Sequence, residues 1–128
     1  MTYVNDPIGD LLTRMRNAQA ARRKRTTAPH SRLKQELCEL LKREGWLQEV
    51  NVIGESPKQQ LEVVFVPGKT LMLERVSKPG RRIYGKAASL KPILRGYGIA
   101  VLTTSEGLLT DIEARKRKIG GEILCTIA

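Results

Sequence analysis

Ile99-Ala100-Val101-Leu102-Thr103-Thr104-Ser105-Glu106-Gly107-Leu108-Leu109-Thr110-Asp111-Ile112-Glu113 is the stretch whose reading decides the fold. Residues 99–102 are an apolar run of strand length. Thr103, Thr104 and Ser105 leave that run, and with Gly107 close behind they read as a turn. Thr110 and Glu113 then form a capping-box pattern, in which the threonine hydroxyl and the glutamate carboxylate each take a backbone N–H of the other. A strand, a hydroxyl-bearing turn and a short helix in immediate succession predict an α+β chain.

Working outward, Gly120-Gly121-Glu122 is a turn leading into a strand over 123–127, with Ile123, Cys125 and Ile127 expected on one face. On the other side, Ile83-Tyr84 is a short strand candidate, Pro79-Gly80 a tight turn, and residues 71–76 another apolar segment. Pro67-Gly68-Lys69 is the best candidate boundary, separating an N-terminal lobe (1–67) from a C-terminal lobe (68–128). In the first lobe Asn5-Asp6-Pro7 starts a helix over 7–20, whose apolar stripe is Ile8, Leu11, Leu12, Met15 and Ala18. Thr26-Thr27-Ala28 predicts a strand. Ser31 opens a second helix with Leu33, Leu37, Leu40 and Leu41 as its core face, and Gly45 closes it. Residues 46–53 and 61–66 predict two more strands. The expectation is an α-β-α-β-β lobe followed by a mainly β lobe with one short helix.

The 128 residues carry a formal net charge of +10. Residues 1–45 hold ten Lys/Arg against five Asp/Glu, residues 46–76 three against four, and residues 77–128 ten against four. Two basic ends around a neutral middle suggest two contact regions on one polyanion. Arg14, Arg16 and the run Arg22-Arg23-Lys24-Arg25 are candidates to face phosphate. Aromatic residues make up only 4% of the chain, which argues against a base-stacking platform for single strands. Cations hold a polyanion without reading it, whereas short hydroxyl side chains both donate and accept and enter a shallow groove. That makes Thr103, Thr104 and Ser105 candidate readers, although the same composition also suits a plain solvated turn.

Other chemistries find little support. Gly80-Arg81-Arg82-Ile83-Tyr84-Gly85-Lys86 fits a phosphate-cradling loop, but Ala87 stands where the magnesium-binding hydroxyl belongs. His30 has no paired Ser or Cys nucleophile, and Asp6 and Asp10 read as a helix cap and a first-turn acid. Cys38 and Cys125 are far apart, so neither a zinc site nor another cofactor is expected, and both read as reduced core residues. No apolar run approaches the ~20 residues of a membrane span, so no membrane partner is expected.

Several ordered motifs together resemble the family of the eighth protein of the bacterial small ribosomal subunit, ribosomal protein S-eight, over essentially the whole chain. They are the opening from Asp6-Pro7-Ile8-Gly9-Asp10 to Asn17, then Arg75-Val76-Ser77-Lys78-Pro79-Gly80 with Arg82-Ile83-Tyr84. The run from Gly98 to Gly107, Thr110-Asp111 and Gly120-Gly121-Glu122 complete the set. The resemblance implies a two-lobed, non-enzymatic, cytoplasmic protein of the small ribosomal subunit. Its implied partners are the central domain of the ribosomal RNA, neighbouring small-subunit proteins and, in some members, their own messenger RNA. By the same resemblance Thr103, Thr104, Ser105 and Gly107 would form the RNA-reading loop, entering a minor groove, and Gly120 and Gly121 would allow close approach. Glu122 would support the loop, Tyr84 would pack on RNA, and Arg14 and Lys34 would contact phosphate. The chain departs from the family at Thr103, at Arg117-Lys118, at residues 85–89 and in a shorter connection near Pro67.

Overall fold

The computed structural model describes residues 6–86 and 98–128. Asn5 of the expected helix start and Ala87 to Ser89 of the departing segment lie outside them. The elements are α1 (Pro7–Ala20), β1 (Arg25–Pro29), α2 (Arg32–Arg43), β2 (Leu47–Ile53), β3 (Gln60–Phe65), β4 (Leu73–Arg75), β5 (Tyr84–Gly85), β6 (Ile99–Thr104), β7 (Gly107–Thr110), α3 (Asp111–Arg117) and β8 (Gly121–Ile127). The class is α+β, as the sequence predicts. Residues 10–71 form one compact unit, and the described residues of 1–9 join those of 72–128 in the other.

In the 10–71 unit β1, β3 and β2 form an antiparallel sheet in that order. Leu61, Val63 and Phe65 alternate along β3 toward the buried side. Leu37, Cys38, Leu40 and Leu41 of α2 are buried with them, each contributing about 1.5–3 kcal/mol for the larger side chains. Leu33 does not join this face and stays exposed; Lys34 is buried instead. The cause is local. Ser31 caps α2 by accepting from Lys34 N, and the Lys34 ammonium reaches back to donate to Pro29 O at 2.8 Å. Position 34 shares the stripe of Leu37, Cys38 and Leu41, and that bond satisfies its ammonium there.

The other unit is built on β8. It pairs with β6 along one edge, and with β4 and β5 along the other, while β7 completes a hairpin with β6. All pairings are antiparallel. The register slips at Leu124: Val101 faces Cys125, but Leu102 faces Ile123. One extra residue in β8 reverses the alternation beyond it. Ile123 therefore leaves the face of Cys125 and Ile127, contrary to the sequence expectation, and packs with Ala100, Leu102 and Ala114 of α3. Arg75 holds this bulge: its Nη1 donates to Leu124 O at 2.6 Å, and its guanidinium pairs with Asp6 at 3.2 Å. Asp6, expected as a simple helix cap, thus also ties the start of α1 to β4. Both cysteines are buried thiols outside any disulfide, and burial pushes the Cys125 thiol up to about 12, with nearby Arg75 opposing the rise.

Candidate nucleic-acid interface

Thr103 and Thr104 are strand residues, not turn residues. β6 runs on to Thr104, and Ser105-Glu106 alone form the connection to β7, a strand absent from the sequence expectation. The polar side chains hid the strand's continuation. The hairpin is fastened from within. Thr104 Oγ1 donates to Gly107 O at 2.9 Å and accepts from Glu106 N at 3.1 Å. Gly107 has φ +94, a conformation that costs a side-chain-bearing residue strain. Arg117 of α3 pairs with Glu106 at 2.9 Å and offsets the one acid at the tip. Ser105 is exposed at that tip, and its hydroxyl meets no hydrogen-bond partner among the described residues. The three hydroxyls are therefore unequal: Thr104's proton is committed to the hairpin, and Ser105's is available.

Across the sheet, Thr103 lies opposite both Leu108 and Glu122, and Glu122 lies opposite Tyr84. The Glu122 side chain, 12% exposed, accepts from Arg82 Nη1 at 3.0 Å. That hydrogen bond is the main cause raising the Arg82 pKa above arginine's usual value. The Glu122 backbone pairs with Thr103, while its carboxylate accepts from Arg82. Gly120 and Gly121 are fitted to the protein's own backbone. A β-carbon on Gly120 would overlap Gly85 O, and one on Gly121 would overlap Thr103 O. These glycines let β5, β8 and β6 close up.

Beside this row lies a groove of about 850 Å³ lined by Tyr84, Lys86, Arg115, Lys118, Gly120 and Gly121. Tyr84 is 69% exposed there. Lys118 and Lys86 fall in the Arg117-Lys118 and 85–89 departures noted in the sequence, whereas Arg115 carries no such sequence signal. The capping box at Thr110 fixes where α3 starts, and counting two turns from it would have placed Arg115 and Lys118 at its end. The motif at 80–86 forms no phosphate cradle: Lys78 and Arg81 bridge around Pro79-Gly80, and Tyr84-Gly85 is strand.

In the 10–71 unit Arg14 pairs with Asp10 at 2.9 Å and donates to Thr27 O at 3.3 Å. It shares a groove of about 550 Å³ with Asn17, Arg23, Arg25, Thr26 and Thr27. Lys34 is not among these cations; it is 5% exposed and bonded to Pro29 O. His30 Nε2 lies 2.7 Å from Gln35 Oε1.

A family model described as ribosomal protein S8 matches residues 6–128. The chain is similar to small ribosomal subunit protein uS8 of Rubrobacter xylanophilus, with 45% identity over 129 residues covering 97% of this chain and 98% of that protein. It is 44% identical to uS8 of Tolumonas auensis over 128 residues, covering 98% of each. With uS8 of Tropheryma whipplei the identity is 46% over 126 residues, covering 94% of this chain and 96% of that protein.

Proposed function

Given that this chain belongs to the ribosomal protein S8 family, we propose that it binds the central domain of small-subunit ribosomal RNA directly and helps the subunit assemble. Membership carries the coarser role: a structural, non-enzymatic protein of the small ribosomal subunit, with ribosomal RNA and small-subunit proteins as partners. The finer reading rests on one observation. Ser105 stands exposed at the tip of a hairpin whose Thr104 hydroxyl is internally bonded, in a unit that also carries the Tyr84–Lys118 groove. An exposed, uncommitted hydroxyl on a narrow hairpin suits a shallow RNA groove, where base edges and 2′-hydroxyls are offered together. Thr103 and Thr104 shape that edge, Gly107, Gly120, Gly121 and Glu122 fix it, and Arg14 with its neighbouring arginines supplies sequence-blind grip.

The test is titration of a small-subunit RNA helix and of random RNA with wild type, Ser105→Ala and Arg22→Ala/Arg23→Ala. We expect Ser105→Ala to weaken the specific RNA by about 1–3 kcal/mol with little change in salt dependence. The double arginine variant should flatten the salt slope on both RNAs. Equal losses on both RNAs for Ser105→Ala would remove the reading role. A regulatory role on a messenger fold, its own included, uses the same surface; retention on small subunits at high salt separates the ribosomal role from it.

A further inference from the structure

The three helices of the described residues end in the same hydrogen-bonded motif, yet they fill its critical position differently. At the end of α2, Gly45 N donates to Lys42 O and Trp46 N to Leu41 O, with Gly45 at φ +85. At the end of α1, Arg22 N donates to Gln19 O and Arg23 N to Ala18 O, with Arg22 at φ +58. At the end of α3, Lys118 N donates to Arg115 O and Ile119 N to Ala114 O, with Lys118 at φ +56. Each is a Schellman turn, whose left-handed position glycine fills at least cost. Arg22 and Lys118 are the only non-glycine residues with positive φ among those described.

The two exceptions share their surroundings. Arg22 lines a groove of about 660 Å³ with Arg23, Lys24, Arg25 and Lys69, and no carboxylate is among its described lining residues. Lys118 lines the groove that holds Tyr84, Lys86 and Arg115, again with no carboxylate among the described lining residues. A cation near a helix C-terminus gains from the helix dipole, but that gain is equally open to the residues of the preceding turn, which α3 already fills with Arg115, Lys116 and Arg117. At α3, therefore, the dipole does not explain why the left-handed position itself is a long cation; α1 has no basic residue in its last turn, and there Arg22 is also the cation that meets the dipole. Residues kept in a strained backbone region point to a job at that spot.

We propose that Arg22 and Lys118 are phosphate-contacting residues, one in each unit, whose strained backbone sets a guanidinium and an ammonium over two cation-lined grooves to hold RNA phosphodiesters. The proposal deepens the RNA-binding reading and rests on it. The two contacts are sequence-blind, and they act separately from the Ser105 hydroxyl.

The test is the pair Arg22→Gly and Lys118→Gly in the full chain, with thermal unfolding and RNA titration across salt. Each variant should unfold about 3–6 °C higher, because glycine relieves the left-handed strain. Each should also bind both the specific helix and random RNA about 3–10-fold more weakly, with the log–log salt slope reduced by about one. Arg22→Lys and Lys118→Arg should keep the wild-type slope. Variants that bind with wild-type affinity and slope would overturn the proposal and leave the two cations as helix-end charges. Variants that unfold earlier than wild type would overturn the strain argument. If wild type itself does not bind RNA, the RNA-binding reading fails and this inference falls with it, an outcome distinct from normal binding by the glycine variants.

Discussion

Gly121 lies so close to Thr103 that a β-carbon on it would overlap the Thr103 carbonyl oxygen and crowd Thr104 Cγ2 at 3.0 Å. The neighbour is backbone held in a strand pairing, so it cannot swing away. Gly121→Ala should therefore spread β6 from β8, costing about 2–3 kcal/mol of stability by overpacking. Urea unfolding gives that figure directly. The same variant should lose specific RNA binding, since the Ser105 hairpin hangs from the displaced strand. A Gly121→Ala protein of wild-type stability would show that the two strands have room to part.

Thr104 and Ser105 should separate structure from recognition. Thr104 Oγ1 has two hydrogen bonds inside the hairpin, so Thr104→Val should cost about 1–2 kcal/mol in unfolding experiments. Thr104→Ser keeps the hydroxyl and should recover most of it. Ser105→Ala should unfold within about 0.5 kcal/mol of wild type, as expected for an exposed position without partners. Equal stability of Thr104→Val and wild type would mean that the internal bonds do not hold the hairpin.

Local chemistry was legible in the sequence wherever a residue satisfies its own neighbourhood. Ser31 caps α2 through Lys34 N, Gly45 closes it, and Thr110 and Glu113 make the expected capping box. What escaped depends on pairing across strands. The bulge at Leu124 is a mismatch between β6 and β8, and no period-2 pattern within β8 alone reveals it. Thr103 and Thr104 read as a turn because their strand character comes from bonds to β7 and β8. Leu33 fits one helical stripe, but the buried face runs through Lys34, Leu37, Cys38 and Leu41, where the Lys34 ammonium is satisfied by Pro29 O. The hydroxyl-rich segment was visible from composition; the inequality of its hydroxyls was not, because it is made by backbone partners two and three residues away.

Lys34 offers a clear division between fold and RNA contact. Its stem is buried and its ammonium is bonded to Pro29 O. Lys34→Ala should lose about 1–2 kcal/mol of stability, from the buried stem and the unpaired carbonyl. The salt slope of RNA binding should stay at the wild-type value, unlike that of the arginine variants. A slope lower by about one at unchanged stability would assign the ammonium to a phosphate instead.

Cys125 predicts an alkaline limb to the stability curve. Burial lifts its thiol from the ordinary 9.0 to about 12 in the folded chain. Between those values the unfolded state releases the proton while the folded state keeps it, so unfolding is favoured as pH rises. The stabilising preference for the neutral thiol is fully present below about pH 9 and is lost progressively toward pH 12. At pH 10 the loss should be about 1.4 kcal/mol relative to neutral pH. Denaturant unfolding at pH 7.5 and pH 10 measures it, and Cys125→Ala isolates it: that variant should be less stable at both pH values, because of the cavity, but should fall less between them. Thiol reagents at neutral pH should leave Cys125 unmodified until the chain unfolds, because the reactive thiolate is absent and the side chain is inaccessible. Rapid modification of the native protein, or an alkaline limb unchanged in Cys125→Ala, would show that the thiol reaches solvent without unfolding.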